Sequence, residues 1–383
     1  MKNLIKTFLL IVAAGLIASC EGPMGPAGAD GLPGADGVDG IDANESCKEC
    51  HNSTVVEAKV IEYEHSLHAK SLVFEEEGGS TGCAPCHSHQ GFLYVVKNNI
   101  PATAYSVNAA TATLPGGFTC FTCHSSLHTS YTLDDFFPLT TTAAVPMVMW
   151  GGSKTINFTK NEGNLCTKCH QPRPVAASGV PINYSLLVSS PLTPYTLTSI
   201  SFRTGVHYGT QGAMAAGVGA VEFGTGYTNS HHVANASCTS CHMATPSATA
   251  GGHSFEPNFN GCNTTACHTG MSATSALYVA TTAEINTLTN ALAAKINAIG
   301  GGNDILLKEA DGTYHGYFNI YDANSNAAGY WRNPANGTPV FPALSNAQFG
   351  AILNFQLVVR GGAKGVHNAP YIKKLLENTI AAI

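Results

Sequence analysis

Apolar residues recur at helical spacing in the last third of the chain, between stretches rich in glycine and small polar residues. A Thr-x-x-Glu capping box at Thr281 opens a stripe of apolar positions that runs to residue 300, which predicts a helix of about five turns. A second helix is predicted from the Ser345-x-x-Gln348 box to Gly361, and a third from Asn368 onward. Each stripe has the width of one buried face, so we expect these helices to pack as a core.

The preceding part of the chain shows weaker periodicity. The apolar spacing over residues 55–72 suits a helix, whereas residues 180–188 and 195–202 alternate like short strands and predict a small hairpin or an extended arm. Residues 314–337 are polar and rich in turn formers, so we expect an irregular loop with weak strands. The predicted fold is therefore mainly irregular and α-helical, with few short strands and helices at the carboxyl end.

The composition argues against a highly charged surface. Only 11% of the 383 residues are Asp, Glu, Lys or Arg, which is under half the usual share. The formal net charge is −6. Binding to nucleic acid needs a basic surface, so we expect no nucleic-acid partner.

The first 19 residues have the pattern of an export signal. Lys2 and Lys6 precede an apolar stretch at residues 8–17 that is too short for a permanent membrane anchor. The junction before Cys20 resembles the bacterial lipoprotein signal, in which two small residues precede a cysteine that becomes acylated. We predict that residues 1–19 are a lipoprotein signal peptide and that Cys20 is the lipidation site. The alternative is ordinary cleavage that leaves Cys20 as a free thiol.

Seven uninterrupted Gly-x-y triplets occupy residues 22–42, which is the period of collagen. Three such chains could wind into a short triple helix, but the segment has only three prolines, and its four aspartates would cluster between chains. A single-chain tether is favoured, with a reach of roughly 65 Å at a polyproline rise of about 3.1 Å per residue. Residues 20–42 are thus predicted to be a lipidated, collagen-like tether.

Twelve of the thirteen cysteines form six pairs, and a histidine directly follows every pair. Five pairs have the form Cys-x-x-Cys-His, and the sixth has four residues between its cysteines. The paired cysteines are Cys47 and Cys50, Cys83 and Cys86, Cys120 and Cys123, Cys166 and Cys169, Cys238 and Cys241, and Cys262 and Cys267. The histidines that follow them are His51, His87, His124, His170, His242 and His268.

This pattern is the attachment motif of c-type haem. Two thiols at this spacing add to the two vinyl groups of one haem, and the next side chain supplies an imidazole to the iron. Zinc ribbons and disulfide frameworks also use paired cysteines, but neither requires a histidine after each pair. We therefore predict six haem c groups, with the six motif histidines as proximal iron ligands.

The haem motifs divide the rest of the chain into two regions. Residues 43–270 are predicted to be the haem-attachment region, and residues 271–383 a haem-free, helix-rich region that packs on the haem core. At the sixth motif the wider loop leaves a disulfide between Cys262 and Cys267 as the alternative to haem attachment.

Ten histidines remain after the six in the motifs, which is more than one for each iron. Few methionines lie outside the predicted signal and tether, so imidazole is favoured as the second axial ligand. Low-spin iron with two histidine ligands is therefore expected at the six sites.

The motifs and the segments around the spare histidines resemble those of extracellular and outer-membrane multihaem c-type cytochromes of metal-respiring and related bacteria. The resemblance covers residues 45–383. Its most specific stretches include Ser66-Leu-His-Ala, His207-Tyr-Gly, Asn229-Ser-His-His, Gly252-His-Ser-Phe and Gly365-Val-His-Asn. It implies a multihaem cytochrome fold organised around stacked haems.

The resemblance also implies which spare histidines are distal iron ligands. By position these are His68, His207, His232, His253 and His367. His128, four residues after His124, would complete the set of six. His89 is the reserve and His231 could replace His232, whereas His65 and His315 are expected at the surface.

Six redox centres in one chain indicate a protein that conducts electrons between the cell envelope and an extracellular acceptor. Histidine on both sides of the iron closes the position that a catalyst needs. One alternative is a nitrite- or hydroxylamine-converting multihaem enzyme, and another is a subunit of a cytochrome filament. The expected partners are redox proteins of the envelope, the extracellular acceptor and the membrane, through the lipid anchor. The expected location is the outer membrane or cell surface.

Overall fold

The computed structural model describes residues 52–106, 115–125, 138–175, 184–195, 200–320, 331 and 340–383. The chain divides into two units, residues 1–56 and residues 57–383, and only residues 52–56 of the first unit are described. The predicted signal peptide, the lipidation site and the tether therefore lie outside the described residues. So do the first haem motif, at residues 47–51, and His128.

Short helices joined by irregular segments make up most of the described chain, and three longer helices lie near the carboxyl end. The α-helices are α1 (Ser53–Glu64), α2 (Leu67–Lys70), α3 (Val73–Glu77), α4 (Ala84–His87), α5 (His89–Lys97), α6 (Cys120–Cys123), α7 (Glu162–Thr167), α8 (Tyr184–Ser189), α9 (Gln211–Ala216), α10 (His232–Asn235), α11 (Cys238–His242), α12 (Ala276–Ala298), α13 (Asn346–Arg360) and α14 (Ala369–Ala382). Single 3₁₀ turns lie at Ala102–Ala104, Val148–Trp150, Gly252–Ser254 and Phe259–Gly261.

The strands of the described residues form four separate two-stranded antiparallel sheets. The pairs are β1 (Val145–Pro146) with β2 (Thr155–Ile156), β3 (Pro174–Val175) with β5 (Gly205–Val206), β4 (Pro194–Tyr195) with β8 (Leu344–Ser345), and β6 (Leu306–Lys308) with β7 (Tyr314–Phe318). The mainly helical and irregular architecture with few short strands agrees with the prediction from the sequence.

The helix predicted over residues 55–72 is broken in two. The hydroxyl of Ser66 is buried and accepts a hydrogen bond from the backbone N–H of Ala69 at 3.0 Å, so it caps a new helix instead of continuing α1. Serine favours such caps because its hydroxyl replaces the missing backbone acceptor of the first turn. His68 therefore lies on a separate short helix, α2.

The strand predicted over residues 180–188 is wrong for the described part, because Tyr184–Ser189 forms helix α8. A short apolar run does not by itself distinguish a strand from a helix. Here the amide nitrogen of Asn346 donates to the carbonyls of Leu186 and Ser190 at 3.1 and 2.9 Å and so stabilises the end of the helix. Of the second expected strand, over residues 195–202, residue 195 belongs to β4, which pairs with β8, and residues 200–202 are not in a strand. Residues 196–199 lie outside the described residues, and the described residues contain no hairpin between the two segments.

The helix predicted from residue 281 begins earlier, at Ala276, and its Thr-x-x-Glu box lies inside it. Ser275 occupies the N-cap position without a capping hydrogen bond from its side chain, and Tyr278 in the added turn packs edge-on against Phe259 at 5.4 Å between ring centroids. The predicted apolar face is correct in its centre, where Ile285, Leu292 and Ile296 are buried. Residues 314–318 form strand β7 opposite β6, within the segment where an irregular loop with weak strands is expected.

Helix α13 is the centre of the carboxyl-terminal core. Thirteen of its fifteen residues are buried, and it packs against α8, α12, α14, β5 and β7. Its predicted capping box is confirmed: Gln348 N–H donates to the Ser345 hydroxyl at 3.2 Å, and Ser345 N–H donates to the Gln348 side chain at 2.8 Å. The predicted stripe of α14 is also buried, at Ile372, Leu375 and Leu376.

A buried glutamine on α13 fixes the segment that leads to His207. The Gln356 side-chain oxygen accepts the backbone N–H of Val206 at 2.9 Å, and its nitrogen donates to the carbonyls of Thr204 and Gly316 at 2.9 and 2.8 Å. A Cβ on Gly205 would lie 1.9 Å from that oxygen, so only glycine permits the contact. The core thus determines the position of the chain beside a predicted ligand.

Within the part of the chain that the structure describes, no helix is both long and apolar enough to cross a membrane.

Replacing Ser345 by alanine should lower the free energy of unfolding by about 1 kcal/mol, because the first turn of α13 loses its side-chain cap. Chemical denaturation of the purified full-length protein measures this change. Thr287→Ala, on the exposed face of α12, is the control and should change stability little. Equal losses in both variants would contradict a specific role for the cap.

Candidate metal centres: five pairs of facing histidines

Five motif histidines each lie opposite a second histidine from a distant part of the chain. The pairs, with the distance between ring centroids, are His68 and His170 (6.1 Å), His87 and His207 (6.0 Å), His124 and His253 (6.2 Å), His232 and His268 (6.2 Å), and His242 and His367 (6.4 Å). In every pair the histidine that does not belong to a motif is one that the sequence predicts as a distal ligand: His68, His207, His253, His232 and His367. We refer to these as the facing pairs.

The spacing of the facing pairs suits one metal ion between the two rings. A histidine nitrogen lies about 2.0–2.1 Å from a bound metal, so two imidazoles on opposite sides of one ion have centroids about 6.3 Å apart. The described residues contain no group of three or more His, Cys, Asp or Glu that could hold a metal ion. A porphyrin iron takes only its axial ligands from the protein, so a pair of imidazoles is the donor set that fits it.

Burial favours the neutral form, which is the form that binds a metal, in seven of the ten rings. Burial lowers the pKa of His68 to about 4, with a further contribution from His170, and lowers the pKa of His367 to about 4, with His242 adding to the effect. Burial is also the main cause of a lowered pKa at His87, His124, His170, His207 and His253. Free lone pairs are therefore available at neutral pH.

Hydrogen bonds at Nδ1 leave Nε2 available in three of the rings. Nδ1 of His207 lies 2.7 Å from the carbonyl of Tyr208, and Nδ1 of His242 lies 2.8 Å from the carbonyl of Phe255. Nδ1 of His170 lies 3.3 Å from the side-chain oxygen of Gln211. Such acceptors fix the tautomer in which Nε2 can bind a metal, and they orient the ring.

The Cys-x-x-Cys-His motifs place both sulfurs and the imidazole on one side of a helical turn. Residues at i, i+3 and i+4 share a helix face, and α4, α6, α7 and α11 each include part or all of one motif. In the second, third and fourth motifs the histidine N–H donates to the carbonyl of the first cysteine at 2.9–3.0 Å, which closes this turn. The spacing in the sequence thus produces the arrangement that attaches one haem edge.

The sixth motif achieves the same closure despite its longer loop. The N–H of His268 donates to the carbonyl of Cys262 at 3.1 Å, as in the shorter motifs. Inside the loop Thr264 N–H also donates to the Cys262 carbonyl, and Cys267 N–H donates to Thr264, both at 3.0 Å. The two extra residues are therefore taken up in a tight turn. Both thiols are free in the structure.

Three of the motifs lie side by side. The sulfur of Cys86 is 3.9 Å from the carbonyl of Lys168, and the sulfur of Cys169 is 4.0 Å from the carbonyl of Pro85, so the second and fourth motifs are in contact. The sulfur of Cys238 is 3.8 Å from the carbonyl of Gly163, beside the fourth motif. The fourth motif therefore lies between the second and the fifth.

One side chain competes for the space at the His87–His207 pair. A Glu77 carboxylate oxygen lies 3.3 Å from Nε2 of His87, the atom that would bind the metal. The Glu77 side chain is 37% exposed, so it can turn into solvent when a metal binds.

The remaining predicted residues are placed as follows. His89 is not in a facing pair; its Nδ1 lies 2.7 Å from the hydroxyl of Thr122. His231 precedes α10 and is exposed, whereas the next residue, His232, faces His268. His65 and His315 are exposed, as expected.

Two further residues lie near the pairs, and the sequence did not predict a role for either. The Phe255 ring, which belongs to the Gly252-His-Ser-Phe stretch, lies 5.1 Å from His68 and 6.0 Å from His253. Glu62 contacts His253 but lies 191 positions away, and no local pattern marks it.

Comparisons with known proteins give one weak likeness. No family description matches the chain, and no curated protein matches it. Among solved structures, the crystal structure of outer cell wall cytochrome OcwA is similar with 20% identity and a TM-score of 0.43, covering 85% of this chain and 50% of that one. The chain thus spans about half the length of that structure, and a similarity this low defines neither fold nor function.

The sixth motif provides a direct test of attachment. Mass spectrometry of the purified protein should find a peptide containing residues 262–268 that carries about 616 Da from one haem, and roughly 3.7 kDa added to the whole chain by six. A peptide with Cys262 and Cys267 joined as a disulfide, together with a fivefold increment, would contradict the prediction.

Proposed function

We propose that the protein is a multihaem c-type cytochrome that transfers electrons, with one haem attached at each of its six motifs. The observation that carries the proposal is the set of five facing pairs, in which every described motif histidine has an opposing imidazole at 6.0–6.4 Å. Iron between two imidazoles in a porphyrin supplies a one-electron Fe(III)/Fe(II) couple.

The residues that would hold each group follow from the pairs. The cysteines of each motif form the thioethers, the motif histidine is the proximal ligand and its facing partner is the distal ligand. For the first motif, at Cys47, Cys50 and His51, we propose His128 as the distal ligand.

Electron transfer is favoured over catalysis because the two imidazoles of each facing pair would take both axial positions of a bound haem iron at five sites. A nitrite- or hydroxylamine-converting enzyme needs one iron with an open position for substrate. Rings with buried, oriented Nδ1 atoms are poorly suited to leave the iron during turnover, since their hydrogen bonds would have to break as well.

Contact between the motifs supports conduction through the protein. The fourth motif contacts the second directly, and the backbone just before the fourth motif contacts Cys238 of the fifth. These three attachment points are therefore neighbours although they are far apart in the sequence. We propose that the redox centres form a continuous path, along which electrons pass from a donor in the cell envelope to an acceptor outside the cell.

We further propose that the chain is exported and anchored at the outer membrane or cell surface through an acylated Cys20. The export signal, the small residues before Cys20 and the seven Gly-x-y triplets support this proposal. A single-chain tether would hold the haem region away from the lipid surface. Trimerisation through the collagen-like segment and assembly into a filament are the alternatives.

The decisive measurement for the proposed function is the haem content and spin state of the purified protein. We expect six haems per chain, all six-coordinate and low-spin, with no binding of cyanide or nitrite by the untreated protein. His207→Ala should convert one iron to high-spin and leave the others unchanged, whereas the control His315→Ala should alter none. A high-spin iron in the unmodified protein would instead favour an enzyme.

Replacing Cys20 by alanine should release the folded haem protein from the membrane fraction, because acyl chains would no longer attach it. Haem absorbance in the membrane, soluble and shed fractions measures the change. Retention of the variant in the membrane fraction would refute lipidation as the anchor.

A further inference from the structure

We propose that Glu62 is a positioning residue for His253, and that its carboxylate lowers the reduction potential of the iron held by the His124–His253 pair. This inference rests on the proposed function, because it concerns the potential of one haem.

A single carboxylate oxygen of Glu62 approaches His253 at two points. It accepts a hydrogen bond from the His253 backbone N–H at 2.9 Å and lies 3.5 Å from the ring atom Nδ1. That Nδ1 is shielded from solvent and forms no hydrogen bond in the structure. The carboxylate is therefore the acceptor to which Nδ1–H can donate a hydrogen bond once a metal binds at Nε2. The Glu62 side chain is itself only 17% exposed.

A glycine next to the ligand makes this approach possible. A Cβ on Gly252 would lie 2.2 Å from the same carboxylate oxygen, and Gly252 has φ +54°, which a residue with a side chain adopts only with strain. The Gly-His sequence thus presents both the backbone N–H and the ring of His253 to Glu62. The arrangement is a formed contact within the fold and not a chance encounter of surface side chains.

The other rings with described Nδ1 contacts have neutral acceptors. These are the carbonyl of Tyr208 for His207, the carbonyl of Phe255 for His242 and the side-chain oxygen of Gln211 for His170. A carboxylate acceptor draws the Nδ1 proton more strongly and makes the imidazole a better electron donor to the metal. A better donor stabilises Fe(III) relative to Fe(II), so the reduction potential falls.

A nearby lysine allows a second test, in which the reduction potential should shift in the opposite direction. Lys59 Nζ lies 2.7 Å from the other carboxylate oxygen of Glu62, and its side chain is 43% exposed. Its positive charge compensates part of the carboxylate's negative charge and so weakens the interaction of Glu62 with His253. Removing the lysine should therefore strengthen the interaction that removing the carboxylate abolishes.

The experiment is a spectroelectrochemical redox titration of the full-length, haem-loaded protein and three variants. Glu62→Gln should shift one of the one-electron components to higher potential, and Lys59→Gln should shift the same component to lower potential. Glu64→Gln, which removes an exposed carboxylate from the same helix, is the control and should move none. Gly252→Ala should shift that component upward as Glu62→Gln does, because the added Cβ displaces the carboxylate without removing its charge.

Unchanged potentials in Glu62→Gln, or shifts of the same sign in the Glu62 and Lys59 variants, would overturn the proposal. A high-spin iron in Glu62→Gln would overturn the proposed effect on the reduction potential, since Glu62 would then hold His253 on the metal instead of tuning a ligand that stays bound. These failures differ from a failure of the proposed function, which would be seen as missing haem or high-spin iron in the unmodified protein.

Discussion

In each facing pair the two imidazoles lie 6.0–6.4 Å apart between centroids, which leaves room for a metal ion between them and is not a separation that contact between the rings alone would set. Each ring must be positioned by the chain around it. This requirement accounts for much of the described architecture: helices of one turn at the motifs, caps and 3₁₀ turns at the opposing rings, and little regular structure between them. Before residue 125 the buried hydrophobic side chains among the described residues are few, namely Ala84, Phe92, Val95 and Tyr105, so bound porphyrins would supply most of the apolar interior there.

The carboxyl-terminal helices provide the rigid part to which several ligands are attached. Arg360 of α13 is buried between the rings of Tyr208 and Tyr317, and it donates to carbonyls that include that of Val206, directly before His207. Asn368, next to His367, accepts from Ser230 N–H at 2.9 Å and donates to the Asn229 side chain at 2.9 Å. That loop leads to His232, so one asparagine links the backbone beside two predicted distal ligands. The helix-rich region therefore contains one predicted ligand, His367, and helps to position the backbone next to others through buried hydrogen bonds.

The sequence predicts the features that depend on neighbouring residues and misses those that depend on distant ones. The capping box of Ser345 and Gln348 is local, and the structure confirms it. The end of α8 depends on hydrogen bonds from Asn346, far away in the chain, and alternation alone predicted a strand there. Likewise no local pattern shows that His68 faces His170, or that His253 contacts Glu62 across 191 positions. Which rings pair depends on the tertiary fold, and the sequence alone does not show which distant residues meet in space.

Phe255 shows why the sites cannot be treated as independent. Its ring packs against His68 and His253, which belong to different facing pairs, and its carbonyl accepts from Nδ1 of His242 in a third. Its φ of +56° is a left-handed conformation that a phenylalanine adopts only when surrounding contacts stabilise it, at a typical strain of about 1–3 kcal/mol. The contacts with three ligand rings offset that strain. A shift of this one residue would disturb its contacts with all three imidazoles, so the geometry of these three facing pairs is linked through the packing of the chain.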